Sequence, residues 1–274
     1  DKAQTKMTIV INNNLITDVI EGYKDPKDDD IYLDLKDHTL LPGLMDMHVH
    51  FGGEYQSKAE RPSKVEKEME AILATQDAYV TFLAGFTTVR QVGDSGMIAI
   101  SLRDAINQGK VVGPRIFTSG KSLATTGGHA DPTNGMKFQL MGNPGPDDGV
   151  VNGVSDAIKA VRQRYKNGAD LIKITATGGV LSVAKSGENP QFREDEIRAI
   201  VETAADYDMH VAAHAHGAEG MKRAVRAGVR SIEHGTLMDK ETMGLMKKYG
   251  TYYVPTISAG EFVAEKAKVD GYYP

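Results

Sequence analysis

Two kinds of hydrophobic pattern alternate along most of the chain. Short apolar runs rich in β-branched and aromatic residues fall at LLPGLMDMHVHF (40–51), TTVRQV (87–92), RIFTSG (115–120) and DLIKITAT (170–177). HVAAHAH (210–216), SIEHG (231–235) and TYYVPT (251–256) continue the series. Their lengths and compositions predict strands. Between them, apolar positions recur at helical spacing near 63–84, 97–108, 154–166, 193–207, 217–227 and 239–249, with another helix starting near 258. Val201, Ala204 and Ala205 keep that spacing behind the acidic opening Glu194-Asp195-Glu196, a favourable helix start. Repeated strand–helix units predict a parallel sheet with crossover helices. Seven such units can be counted.

Residues 1–39 follow another pattern. MTIVI and LITDVI alternate around Asn12-Asn13-Asn14, which predicts a hairpin. An Asp-rich connection leads to a further short strand at IYLDL (31–35). Such a piece is too small to bury a core of its own and needs a partner sheet. The expected domain division is therefore 1–39 and 40–274. A (β/α)8 barrel needs eight strands. Seven units imply either an open doubly wound sheet or a TIM-type barrel truncated after the seventh. No G-x-G-x-x-G follows the first strand, which argues against a dinucleotide-binding sheet.

Composition narrows the chemistry. The chain has 274 residues, 41% of them hydrophobic, enough for a sizeable core. A net charge of -5 offers nothing to attract nucleic acid or an anionic membrane. No apolar run has membrane-spanning length. Cysteine is absent, so thiolate ligands, thiol catalysis and disulfides are excluded. Any metal must sit on nitrogen and oxygen ligands, which suits zinc, manganese, iron or cobalt. The chain opens at Asp1 without a signal-peptide pattern. The compartment stays open between the cytoplasm and, after removal of a leader, the periplasm or exterior.

The candidate chemistry sits at predicted strand ends, where barrel enzymes carry their active sites. His48 and His50 are two apart on one strand, so both imidazoles face the same side, with Cα atoms roughly 6.6 Å apart. Alone, such a pair is as readily two surface histidines on a half-exposed strand. His214 with His216, and His234, add two more strand ends, so five of the eight histidines concentrate there. Lys173 lies between Ile172 and Ile174, where an ammonium would have to be desolvated. It is either paired with a carboxylate, extended to the strand end, or converted to an anionic carbamate by capture of carbon dioxide. A carbamate can bridge two cations about 3.5–4 Å apart, a common hydrolytic arrangement.

PGLMDMHVHF, TTVR (87–90), IKITATGG (172–179), HAHG (214–217) and IEHG (232–235) together resemble the amidohydrolase superfamily. GGHADP (127–132), HAHGAEG (214–220), IEHGTLMD (232–239) and YYVPT (252–256) are similar to its Xaa-Pro dipeptidase and metal-dependent carboxypeptidase branch, near the imidazolonepropionases. The resemblance implies His48 and His50 as ligands of one metal and His214 and His234 of a second. Carboxylated Lys173 would bridge them, with zinc the expected metal. It also implies an aspartate at the end of an eighth strand, as ligand and general base. No position in these residues answers to it, so the chain by itself is expected to be catalytically incompetent. The hairpin region would match the N-terminal half of the family's small β-sandwich.

Substrate-side expectations are His129, reaching toward a substrate carboxylate from the long Gly- and Pro-rich loop at 121–154, together with His216 and Tyr252. Arg90 is read as a buried ion-pair partner in preference to an anion anchor, and Lys185 as solvated. The implied function is metal-dependent hydrolysis of a C–N amide bond. A metal-activated bridging hydroxide would attack the carbonyl of a dipeptide or other small molecule, most closely of Xaa-Pro type. Hydrolysis of a cyclic amide, imidazolone or lactone, and a non-catalytic metal-binding barrel, are the alternatives. Assembly as a homo-oligomer is compatible with all of these.

Overall fold

The computed structural model describes residues 3–52, 66–180, 182 and 185–273. It divides into two compact units, Asp1–Pro42 and Gly43–Pro274.

The first unit is built on one antiparallel hairpin, β1 (Met7–Asn12) with β2 (Leu15–Glu21). Asn13 turns it in the left-handed conformation, φ 56°, which asparagine tolerates better than most residues. The strand expected at IYLDL does not form. A strand needs a ladder partner for its backbone groups, and none pairs with this segment among the described residues; Ile31 is 93% exposed.

The second unit repeats strand and helix. β3 (Leu44–Val49), β4 (Phe86–Gln91) and β5 (Arg115–Thr118) form one parallel sheet. β6 (Ile172–Thr175), β7 (Val211–Ala215), β8 (Ser231–His234) and β9 (Tyr252–Val254) form a second. The helices are α1 (Lys67–Leu83), α2 (Ile98–Asn107), α3 (Phe138–Met141), α4 (Val154–Asn167), α5 (Glu194–Ala205), α6 (Ala218–Ala227), α7 (Lys240–Tyr249) and α8 (Ile257–Lys266). All seven strands predicted from Leu40 onward are present; six are shorter than their apolar runs, and β4 keeps its length one residue earlier. The helix predicted at 63–84 begins at Lys67, and its residues 63–65 lie outside the described residues. No helix among the described residues is long and apolar enough to cross a membrane.

The fold is thus α/β with parallel sheets. Among the described residues the seven strands do not close into a barrel or run as one ladder. The break falls after β5. The chain leaves the sheet at Thr118 and rejoins the neighbouring one at Leu123, whose N–H donates to Lys173 O and whose carbonyl accepts from Thr175 N–H. The expected loop at 121–154 therefore begins as a sheet edge, and it also carries α3.

Strand alternation decides what faces where. Ile172, Ile174, Val211, Ala213, Ala215 and Ile232 pack into the main core with α4, α5 and α6. Lys173, Ala212, His214, Ser231 and Glu233 occupy the intervening positions and are buried on the other face. Glu196 ties the helical layer together. Its carboxylate accepts from Arg193 N–H at the start of α5 and from Gly153 N–H before α4. Asp239 caps α7 by accepting from Thr242 N–H at 2.7 Å.

Candidate active site

The face opposite the helices carries the chemistry. His48 projects from β3, Arg90 from β4, Lys173 from β6, His214 from β7 and Glu233 from β8. The imidazoles of His48 and His50 lie 5.1 Å apart, His48 and His234 4.7 Å, His214 and His234 4.7 Å, and His216 and His234 5.2 Å. Residues far apart in sequence therefore form one imidazole cluster.

His234 enters it against the alternation of its strand. Glu233 already faces this side, so regular β geometry would turn His234 toward the helices. Its φ of 70° ends the strand in the left-handed region and swings the ring back beside His48 and His214. Positive φ in a non-glycine residue costs of order 1–3 kcal/mol and is most often found at functional sites. Thr256, also left-handed at φ 48°, holds His234 Nδ1 at 2.8 Å through its hydroxyl.

Most of the rings are oriented from outside the cluster. His48 Nδ1 donates to Glu233 Oε2 at 2.8 Å, and His50 Nδ1 donates to Gly93 O at 2.9 Å. Both rings then direct Nε2 inward, and the two Nε2 atoms meet at 3.2 Å. Two imidazole lone pairs at that distance repel unless positive charge lies between them. His214 Nε2 donates to Gly178 O at 2.8 Å, which leaves Nδ1 as its ligand atom. His216 Nδ1 pairs with Thr236 Oγ1 at 2.8 Å.

Burial favours the neutral, ligand-competent state of these groups. It pushes His214 and His48 well below the usual imidazole range, reinforced by neighbouring imidazoles and Lys173. His234 is pushed down to about 2, first by burial and then by Lys173 and His48. Lys173 is 3% exposed and falls to about 8, burial outweighing the attraction of Glu233. Among the described residues it makes no side-chain hydrogen bond or ion pair.

Among the described residues no group of three or more His, Asp or Glu side chains is gathered tightly enough to hold one ion. The donor chemistry fits a different arrangement. His48 and His50 form one imidazole pair and His214 with His234 another, with the Lys173 amine buried on the same face. Each pair offers two nitrogen donors of the kind a divalent cation would take.

The other expected residues divide. His129 stacks on His214, ring centroids 4.3 Å apart, and its backbone N–H donates to Gln191 Oε1. His216 borders the cluster. Tyr252 is not brought to it. It pairs in register with Ser231 at the opposite end of β8, is 61% exposed, and lies under the Arg230 guanidinium. Tyr253 instead donates its hydroxyl to His234 O at 3.0 Å. Arg90 is a buried ion-pair partner of Glu233, Nη2 to Oε1 2.6 Å. Lys185 is exposed.

Glu233 is the residue that sequence reasoning passed over, although a carboxylate inside the buried run SIEH carries the same signal that singled out Lys173. Thr256 carried none, because its contact depends on the chain direction after β9.

Parallel strands of an α/β unit thus end in a shared imidazole cluster on the face that buries Lys173. The chain belongs to the amidohydrolase family, whose sequence pattern matches residues 39–272. It is similar to ochratoxinase of Aspergillus niger, 33% identical over 236 residues, covering 81% of this chain and 48% of the fungal protein. It is similar to the crystal structure of a Xaa-Pro dipeptidase with methionine bound in the active site. That match has a TM-score of 0.94 and 68% identity, over 98% of this chain and 66% of the other. A prolidase solved with N-methylphosphonate-L-proline matches with a TM-score of 0.80 and 36% identity, over 91% of this chain and 61% of the other. The chain thus spans about half the length of the curated relative and less than two thirds of the prolidase.

Proposed function

We propose that the protein is a binuclear amidohydrolase acting on dipeptides of the Xaa-Pro type. The observation that carries this reading is the convergence of His48, His50, His214 and His234 on the face that buries Lys173. The family membership and the 68% identity to a Xaa-Pro dipeptidase support it. In this reading the strands are seven β/α units of a TIM-type barrel, and the β1–β2 hairpin is part of a small β-sandwich subdomain.

His48 and His50 would hold one divalent cation, expected to be zinc, and His214 and His234 the other, with the carbamate of Lys173 between them. When bound, such a pair lowers the pKa of water and polarises the scissile carbonyl. The chain's own residues supply the frame. Glu233, Gly93 and Thr256 orient three rings, and Gly178 orients the fourth. His129, stacked over His214, and His216 border the space where a substrate would lie. The family's strand-eight aspartate has no counterpart in these residues, so none of them is assigned as general base.

Elemental analysis of the purified protein, with assays of Xaa-Pro dipeptides, tests the proposal. About two divalent ions per chain and turnover lost on chelation are expected. Metal binding with turnover only of cyclic amides, imidazolones or lactones would move the substrate class but keep the site. No bound metal and no turnover would leave a non-catalytic scaffold.

A further inference from the structure

Beneath the imidazole cluster lies a buried polar network. Glu233 is 0% exposed. Its Oε1 accepts from Arg90 Nη2 at 2.6 Å and from Ser231 Oγ at 2.5 Å, while Oε2 accepts from His48 Nδ1 at 2.8 Å. Arg90 also donates from Nη1 to Ser231 Oγ at 3.1 Å and from Nε to Met47 O at 2.7 Å. One guanidinium therefore grips both the backbone immediately before His48 and the carboxylate on which the His48 ring rests.

This network spans the two sheets. Met47, His48 and Arg90 belong to β3 and β4, whereas Ser231 and Glu233 belong to β8. A mere brace would need only the Arg90–Glu233 pair. The second carboxylate oxygen has another consequence, because it accepts hydrogen bonds and donates none. The His48 proton must sit on Nδ1, so Nε2 carries a lone pair and points at His50.

We propose that Glu233, clamped by Arg90 and Ser231, is a positioning residue that fixes His48 in its Nδ1–H tautomer and presents Nε2 for cation binding. The inference rests on the proposed cation site. Outer carboxylate–histidine pairs of this kind typically change metal affinity 10- to 100-fold when broken. Arg90 has a stated part as well. It holds the carboxylate aligned, and it fixes the main chain from which the ring projects.

Glu233→Gln separates positioning from bracing. The amide has nearly the same shape. Its oxygen replaces Oε1 as the acceptor for Arg90 and Ser231, which places the NH2 group against His48 Nδ1. An NH2 donor there demands an acceptor, so the ring must move its proton to Nε2. The measurement is 15N–1H correlation of the imidazole nitrogens in the chelator-dialysed chain at neutral pH, with His48 assigned through its backbone. Zinc affinity is read beside it by competition with a chromophoric chelator.

The wild-type protein is expected to show His48 as Nδ1–H, the minor tautomer of free histidine. The variant should show Nε2–H and bind zinc about 10- to 100-fold more weakly. A wild-type His48 protonated on Nε2, or averaging between tautomers, overturns the inference even if the variant fails to fold. A folded variant with unchanged zinc affinity also overturns it. If the wild-type chain binds no zinc while His48 is Nδ1–H, the cation reading fails but the tautomer assignment holds.

Discussion

His234, at the end of β8, and Thr256, just past the end of β9, both adopt left-handed backbone conformations, φ 70° and 48°, and share a 2.8 Å contact between Nδ1 and Oγ1. For a β-branched threonine that conformation is a genuine outlier. The hydroxyl is the feature that gives the strained turn a purpose, since it orients a ring that alternation alone would point elsewhere. Thr256→Val keeps the branched shape and removes the hydroxyl. It should weaken zinc binding with little gain or loss of strain, whereas Thr256→Ser should restore affinity. Chelator-competition titrations of the two variants decide this. Equal affinity in Val and Ser variants would show that the hydroxyl has no orienting part.

Lys173 sets a second expectation. Burial lowers its pKa to about 8, so the neutral amine is far more available at pH 7 than in an ordinary lysine. Only the neutral amine captures carbon dioxide. Adding 13C-bicarbonate with zinc should produce a carbamate carbon resonance that Lys173→Met lacks, together with a lower zinc stoichiometry in the variant. A wild-type spectrum without that resonance would refute the modification.

The buried imidazoles predict acid lability. Their folded pKa values lie below the unfolded value near 6.5, so the unfolded chain binds more protons once the pH falls below that value. Stability from these groups is fully present above about pH 6.5 and is lost as pH falls toward their folded values, about 2 for His234. Thermal melts in chelator should therefore show Tm falling between pH 7 and 5, before most carboxylates titrate. His234→Asn should flatten that slope. An unchanged slope would mean that the ring is solvated in solution.

Gly178 supports His214 through its carbonyl, and a Cβ there would collide with the carbonyl oxygen of Ser186. Backbone cannot yield as a flexible side chain does. Gly178→Ala should cost about 1–3 kcal/mol in urea unfolding, the usual range for overpacking. It should also weaken zinc binding by displacing the acceptor of His214 Nε2. Wild-type stability in the variant would count against the tight approach of the two segments.

The period of the hydrophobic pattern determined the order and kind of the elements in the second unit. Period two and period 3.6 are local properties, and glycines such as Gly168, Gly228 and Gly250 end α4, α6 and α7 at C-caps that can be read from sequence. The strand-end histidines and the misplaced charge of Lys173 were equally legible, because polar groups inside apolar runs stand out. Tertiary structure decided what local pattern cannot carry. IYLDL has the composition of a strand, yet a ladder requires a partner that the segment itself does not supply. Tyr252 and Tyr253 differ by one position in register, and that single step sends Tyr252 to Arg230 and Tyr253 to His234. The placement of Glu233 against His48, 185 residues away in the chain, exists only once β3 and β8 face each other. The left-handed turn at His234 is likewise a product of packing, since nothing in the identity of a histidine announces a positive φ.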